Sequence, residues 1–242
     1  MVNLPAVGNV KEAVRGAVMK QTVPMRLVQE LRMEGHLAVV RVRGHVDPKY
    51  RRRRRDLQAR RGVLLHFGCG SRVIPGWLNV DGWSVEGIAY VQDLRSPLFL
   101  ADGSCDLIFT EHVLEHIDPQ FRSRVFGELF RVLAPGGRIR IVVPDCSKYA
   151  RAYCELDNQW FSEAAPTADG LAEGLNSVFV NHFHRFIDDA DSLKASLTRA
   201  GFGDPEVMEH GKSRDGRLAI DTDNHHREIL NLYVEATKAP AS

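Results

Sequence analysis

Leu64-Leu65-His66-Phe67-Gly68-Cys69-Gly70-Ser71 is an apolar run that passes straight into a pair of glycines, and Leu78-Asn79-Val80-Asp81 follows it closely. A strand ending in such a turn lets backbone approach a ligand, because glycine has no Cβ in the way. A GxG pair alone is weak evidence. Its context is stronger, since Asp81 ends the second run with a carboxylate able to accept from two ribose hydroxyls. A nicotinamide-binding fingerprint would need a third glycine at position 73 and an acidic residue about 20 positions further on. Position 73 is valine and Asp81 comes too soon.

Outward from this stretch, strand-like runs at 63–67, 77–80, 88–91, 106–109 and 138–143 alternate with helical segments, the pattern of an α/β domain with a mainly parallel sheet. Between the fourth and fifth runs, Asp118 caps a helix with Pro119 in its first turn and Phe121, Val125, Leu129 and Val132 at helical spacing. A second clear helix starts at Asp189 and stops at Gly201. Residues 206–209 and 231–237 supply two final strands, giving a doubly wound, seven-stranded sheet. Residues 146–188 lack clear periodicity and are longer than a connection needs, which marks a small substrate cap.

The domain proper is expected over 62–238, after a basic extension at 1–61. That extension holds 15 Lys/Arg against 5 Asp/Glu, and the rest of the chain 17 against 26. Within it a short helix is expected at 25–33 and a strand at 37–42, followed by the arginines at 51–55, 60 and 61. Such an extension docks on the acidic body, joins copies of the chain, or meets nucleic acid.

The 242 residues contain no apolar run near the roughly 20 that a membrane helix needs, and no leader-like block at the amino end. A cytoplasmic protein without membrane contact is expected. Cys69, Cys105, Cys146 and Cys154 have no CxxC spacing, so neither a zinc knuckle nor a redox pair is expected.

Six segments in order carry a family resemblance: His66-Phe67-Gly68-Cys69-Gly70, Leu78-Asn79-Val80-Asp81, Gln92-Asp93-Leu94, Ser104-Cys105-Asp106-Leu107-Ile108, Glu111-His112-Val113-Leu114-Glu115-His116-Ile117 and Leu133-Ala134-Pro135-Gly136-Gly137. In these the chain resembles the class I S-adenosylmethionine-dependent methyltransferases, specifically the small type 11-like enzymes often associated with polysaccharide or secondary-metabolite genes. The resemblance implies a Rossmann-like methyltransferase fold with its last strand antiparallel, and S-adenosyl-L-methionine as cofactor. It implies Gly68 and Gly70 along the methionine and ribose, Asp81 on the ribose, Asp93 at the adenine amino group, and Leu94 as an apolar wall. His66, Cys69 and Thr110 complete the candidate cofactor-binding set. His66 stands where many relatives have an acidic or amide residue, and Arg72 where many have a third glycine.

A sulfonium methyl is already electrophilic, so the protein has chiefly to orient the acceptor and exclude water. A hydroxyl or ammonium acceptor also needs a general base, and His112 and His182 are the candidates, with Asp145 and Glu111 behind them. The acceptor is expected to be small and polar, a sugar or nucleotide-linked sugar, held on Tyr149, Tyr153, Trp160 and Phe161 of the cap, with Lys148, Arg151 and Arg185 for an anionic handle. No metal is expected, although His182-x-His184 and His225-His226 offer ligands. The rival readings are a nucleic-acid methyltransferase using the arginine run and a non-catalytic module that keeps the cofactor.

Overall fold

A strand buried on both faces belongs in the middle of a sheet. In the computed structural model, which describes residues 24–84, 86–180 and 183–240, Val63–Phe67 (β1) has this character and pairs in parallel with Leu78–Asp81 (β2) and Cys105–Glu111 (β4). Tyr90–Val91 (β3), Leu133–Pro144 (β5), Gly203–Met208 (β6) and Asn231–Thr237 (β7) complete a seven-stranded sheet in the order β3-β2-β1-β4-β5-β7-β6. β7 runs antiparallel to both its neighbours; the pairs joining β1 to β5 are parallel. The doubly wound sheet with an antiparallel last strand is therefore present. Its strand order reverses direction between β1 and β4, where open α/β sheets form their ligand crevice.

The helices that cover the sheet begin and end where local chemistry dictates. Pro119–Val132 (α3) starts with Asp118 accepting from the Gln120 amide, and its Val125, Phe126, Leu129 and Val132 are buried in the main core. Ala190–Ala200 (α7) opens with a capping box between Asp189 and Ser192 and stops at Gly201, whose φ of 103° suits glycine. Leu193 and Leu197 of α7 are fully buried in the same core; burying one such side chain contributes about 1.5–3 kcal/mol.

The amino-terminal segment differs from expectation. In place of a short helix and a strand, Met25–Val46 (α1) is one continuous helix, and Pro48–Gln58 (α2) follows it with the arginine run on it. The β-branched cluster Val39, Val40 and Val42 favours a strand locally, but Leu37 and Gly44 are buried seven residues apart on one helical face, and that burial decides. His36 stacks on Trp83 at 4.1 Å with its Nε2 2.9 Å from the Gly82 carbonyl, and Leu57 of α2 is buried in the main core. Residues 25–58 of the basic extension thus dock on the body.

The segment expected to form a cap contains Cys146–Cys154 (α4), Asn158–Ala164 (α5) and Leu171–Val180 (α6), beside His225–Leu230 (α8). Of the four aromatic residues expected to stack on an acceptor, Tyr153 is exposed and the other three are packed together. Tyr149 and Phe161 are buried with Ala152, Ala164, Val178, Ile187 and Leu230 in a second apolar cluster, and Trp160 meets both edge-on. Lys148 donates to the Asn231 carbonyl at 2.7 Å, so it is committed as well.

One charged group lies in the sheet itself. Arg140 on β5 is fully buried, with Glu235 of β7 at 2.9 Å and Asp221 at 2.5 Å, both fully buried too. The Glu209 carbonyl accepts a further hydrogen bond from it. This network ties β5, β7 and the segment before α8 together. Arg140→Ala would leave buried Asp221 without its cation and Glu235 with only Arg138 at 3.5 Å, and chemical denaturation should register a loss of about 3–5 kcal/mol. A loss under about 1 kcal/mol would show that the network is not what holds this half of the sheet.

Candidate active site

The glycine turn follows from β1 and is held by β2. The amides of Gly68 and Cys69 both donate to the Val80 carbonyl, at 2.8 and 3.1 Å, and Gly68 and Gly70 have φ of 75° and 52°. A Cβ on Gly68 would stand 2.2 Å from a Val113 methyl, so the missing side chain is what lets the end of β1 meet the turn after β4. Above Gly70, by contrast, nothing lies within 4 Å of where a Cβ would be. Its amide donates to Asp81 Oδ2 at 2.8 Å, and the Trp83 amide to Asp81 Oδ1 at 2.9 Å. Each carboxylate oxygen keeps lone-pair capacity for a ribose hydroxyl. The open space above Gly70 beside a half-buried, oriented carboxylate fits the nucleoside end of S-adenosylmethionine.

Other predicted residues take different places around this crevice. His66 is buried beneath the turn, its Nδ1 3.0 Å from Asn79 Oδ1, and burial holds its pKa below the usual histidine value. Cys69 is buried, and burial together with Asp81 pushes its thiol up to about 11, so it is a small side chain that fits rather than a nucleophile. Thr110 is buried at the end of β4 with no hydrogen-bond partner for its hydroxyl among the described residues. Leu94 packs on the main core. Asp93 is buried and gripped by Arg95 at 3.0 Å and by Arg41 of α1 at 3.1 Å. Glu34 of α1 pairs with Arg95 at 2.6 Å and Glu30 with Arg185 of the cap at 2.7 Å. α1 therefore bridges from Asp93 to the loop that carries Arg185. Arg72, in place of a third glycine, pairs with Glu111 at 2.9 Å and donates to the Ile220 carbonyl. Glu111 also accepts from the Thr222 hydroxyl at 2.6 Å, so it serves the loop rather than an acceptor.

At the end of β4 the chain turns sharply through His112, which has φ of 55°, into a short 3-10 turn, Leu114–His116. His112 Nδ1 stands 2.9 Å from Oε1 of the fully buried Glu115, and its Nε2 is buried without a hydrogen-bond partner among the described residues. Burial pushes the Glu115 carboxyl up, yet the facing His112 and His116 rings outweigh it and leave it below the usual carboxylate range. Glu115 escaped the sequence reading as a site residue, and His184 entered it only as a ligand paired with His182; the spacing Glu111-His112-x-x-Glu115-His116 was the available signal. His182, the other candidate base, lies outside the described residues. Asp145 caps α4 by accepting from the amide and hydroxyl of Ser147.

Residues 65–141 match the family described as Methyltransferase domain. No curated protein matches the chain. Among solved structures it is similar to a SAM-dependent methyltransferase from Thermotoga maritima, with 17% identity, 82% of this chain and 99% of that chain covered, and a TM-score of 0.46. It is also similar to a SAM-dependent methyltransferase from Archaeoglobus fulgidus, at 18% identity over 89% of this chain and 100% of that one, with a TM-score of 0.45. A Haemonchus contortus phosphoethanolamine N-methyltransferase 2 shares 14% identity over 86% of this chain and 57% of its own, with a TM-score of 0.45. Residues 65–141, which hold the glycine turn of the doubly wound sheet, carry the match to a methyltransferase domain, and that match supports a S-adenosylmethionine-dependent methyltransferase with S-adenosylmethionine as cofactor.

The two glycines should fail differently. Gly68→Ala meets both the positive φ and Val113, so it should lower stability by about 2–4 kcal/mol and abolish S-adenosylhomocysteine binding. Gly70→Ala meets only the φ cost, about 1–2 kcal/mol, while its new methyl takes up ligand space. Thermal denaturation and calorimetry on both variants test this; equal stability losses would refute the contact with Val113.

Proposed function

We propose that this methyltransferase moves the methyl group to an oxygen or nitrogen of a small polar acceptor of the sugar or nucleotide-linked sugar class, with His112 as general base. The observation that carries this reading is the position of the His112–Glu115 pair, one residue from the Val113 side chain that packs on Gly68. A base there stands beside the cofactor turn. The cofactor supplies a methyl on sulfonium sulfur, which needs no acid to activate it.

The remaining work falls to the chain. Gly68 and Gly70 admit the cofactor to the backbone, Asp81 takes the ribose hydroxyls, and Asp93 and Leu94 flank the adenine. α1 shields this side from water through His36 on Trp83 and Arg41 on Asp93. Glu115 holds the Nδ1 side of His112, so Nε2 is the atom left to take the acceptor's proton. Phe183 and Phe186, each 39% exposed, flank His184 on the loop bonded to the Glu115 carbonyl, and their rings suit the apolar face of a sugar. They replace the cap aromatics in that role. No helix among the described residues is long and apolar enough to cross a membrane. A cytoplasmic setting accords with four free cysteines.

The exposed Arg51, Arg52, Arg53 and Arg55 of α2 favour a second reading in which nucleic acid is the acceptor. Against it, Arg53 donates to the Ala89 carbonyl and Arg54 lies over the Phe99 ring, so part of the run serves docking. The exposed Leu27, Leu31, Val39, Val42 and Val46 of α1 are consistent with contact between copies of the chain. RNA and DNA should bind weakly and lose affinity steeply with salt. Tight, sequence-selective binding at physiological salt would favour the second reading instead.

Asp81→Ala should weaken S-adenosylhomocysteine binding by about 1.5–3 kcal/mol. His112→Ala should lower the transfer rate by about 10²–10⁴-fold while cofactor affinity stays within a few-fold. Tritiated-methyl transfer and calorimetry read the two effects separately. A fully active His112→Ala enzyme would remove the base from the mechanism.

A further inference from the structure

Glu115, His116 and His184 each present one ligand atom, and the three atoms lie within 4.8 Å of one another. Two ligands bound about 2.1 Å from one tetrahedral ion stand about 3.4 Å apart, so the set needs to draw in by roughly 1.4 Å at its widest. His184 Nε2 is 4.0 Å from Glu115 Oε1, a pair that needs to close by about half an ångström. A second observation points to the same place. The Glu115 side chain is 1% exposed; Oε1 faces His112 Nδ1 at 2.9 Å, and Oε2 has no hydrogen-bond partner among the described residues. A carboxylate so buried calls for a cation.

The frame around these atoms is built in advance. The amides of Arg185 and Phe186 donate to the Glu115 carbonyl at 2.7 and 3.3 Å, fastening the loop that carries His184 to the turn that carries Glu115 and His116. Buried Arg122 donates to the Leu114 carbonyl at 2.8 Å and pairs with buried Asp188 at 2.5 Å, bracing the same two segments from behind. His112 and Phe183 flank the cluster with φ of 55° and 57°, a strained backbone that the surrounding contacts sustain.

We propose that Glu115, His116 and His184 bind a divalent transition-metal ion, of which zinc is the member best suited to two imidazoles and one carboxylate. Three protein ligands leave coordination positions open to water or to an oxygen of the methyl acceptor. That last role rests on reading this end of β4 as the acceptor side; the metal site does not. The sequence pairing of His182 with His184, or His225 with His226, is not the set assembled here. His225 stands 3.8 Å from both Glu163 and Glu228 on an exposed surface.

Full-length protein stripped with a chelator and titrated with cobalt(II) provides the test, followed by visible absorption and calorimetry, with zinc content measured after reconstitution. One ion per chain is expected. Glu115→Gln and His184→Ala should each weaken binding about tenfold or more, and His225→Ala should not. Circular dichroism and S-adenosylhomocysteine binding verify the fold of each variant. Should buried Glu115→Gln fail to fold, His116→Ala, at an exposed position, carries the same expectation. Wild-type protein that takes up neither cobalt nor zinc at micromolar concentration, or His184→Ala that binds as wild type does, overturns the proposal. Retained S-adenosylhomocysteine binding in that protein would leave the methyltransferase reading standing.

Discussion

The contact between Gly68 and Val113 is the constraint on which the site depends. Two parallel strands that diverge at a reversal of sheet order leave a crevice between their ends, and here the crevice closes at its base because one side has no Cβ. The contact sets the glycine turn and the turn after β4 against each other. Asp81 reaches the first turn from β2 through the Gly70 amide, and Glu115 stands behind the second. The parallel register of β1 with β2 and β4 then carries both halves of the site on one sheet edge.

Charge in the interior is arranged around this geometry rather than spread at random. Arg140 between Asp221 and Glu235 holds the β5–β7 half of the sheet, and Arg122 with Asp188 holds the loop that faces the 3-10 turn. Arg41 and Arg95 on Asp93 hold α1 across the crevice. Each is a cation supplied from a distant segment to a buried carboxylate, and buried carboxylates without one are expensive. Glu115 differs in that imidazoles surround it, groups that titrate near neutrality and bind metals.

Much of the fold was legible in the chain because its signals are local. β1 and β7 fall on the residues that apolar runs marked, and Asp118, Asp189 and Gly201 delimit helices by capping chemistry that needs no distant partner. The amino-terminal helix was misread at 37–42 because three β-branched residues carry a strand preference there. The contacts of Leu37 and His36 with the loop after β2 override it.

For this protein the sequence by itself determined the α/β class, the glycine turn, the spacing of Asp81 from it and the capped helices, since each depends on neighbours a few residues away. Only the tertiary structure decided that Tyr149 and Phe161 are core, that Asp93 is bridged to α1, and that Glu115 meets His184, 69 positions later in the chain. Those pairings arise when segments far apart fold onto one sheet edge. Side-chain roles that depend on burial and on a distant partner's charge are properties of the packed chain, which no local pattern encodes.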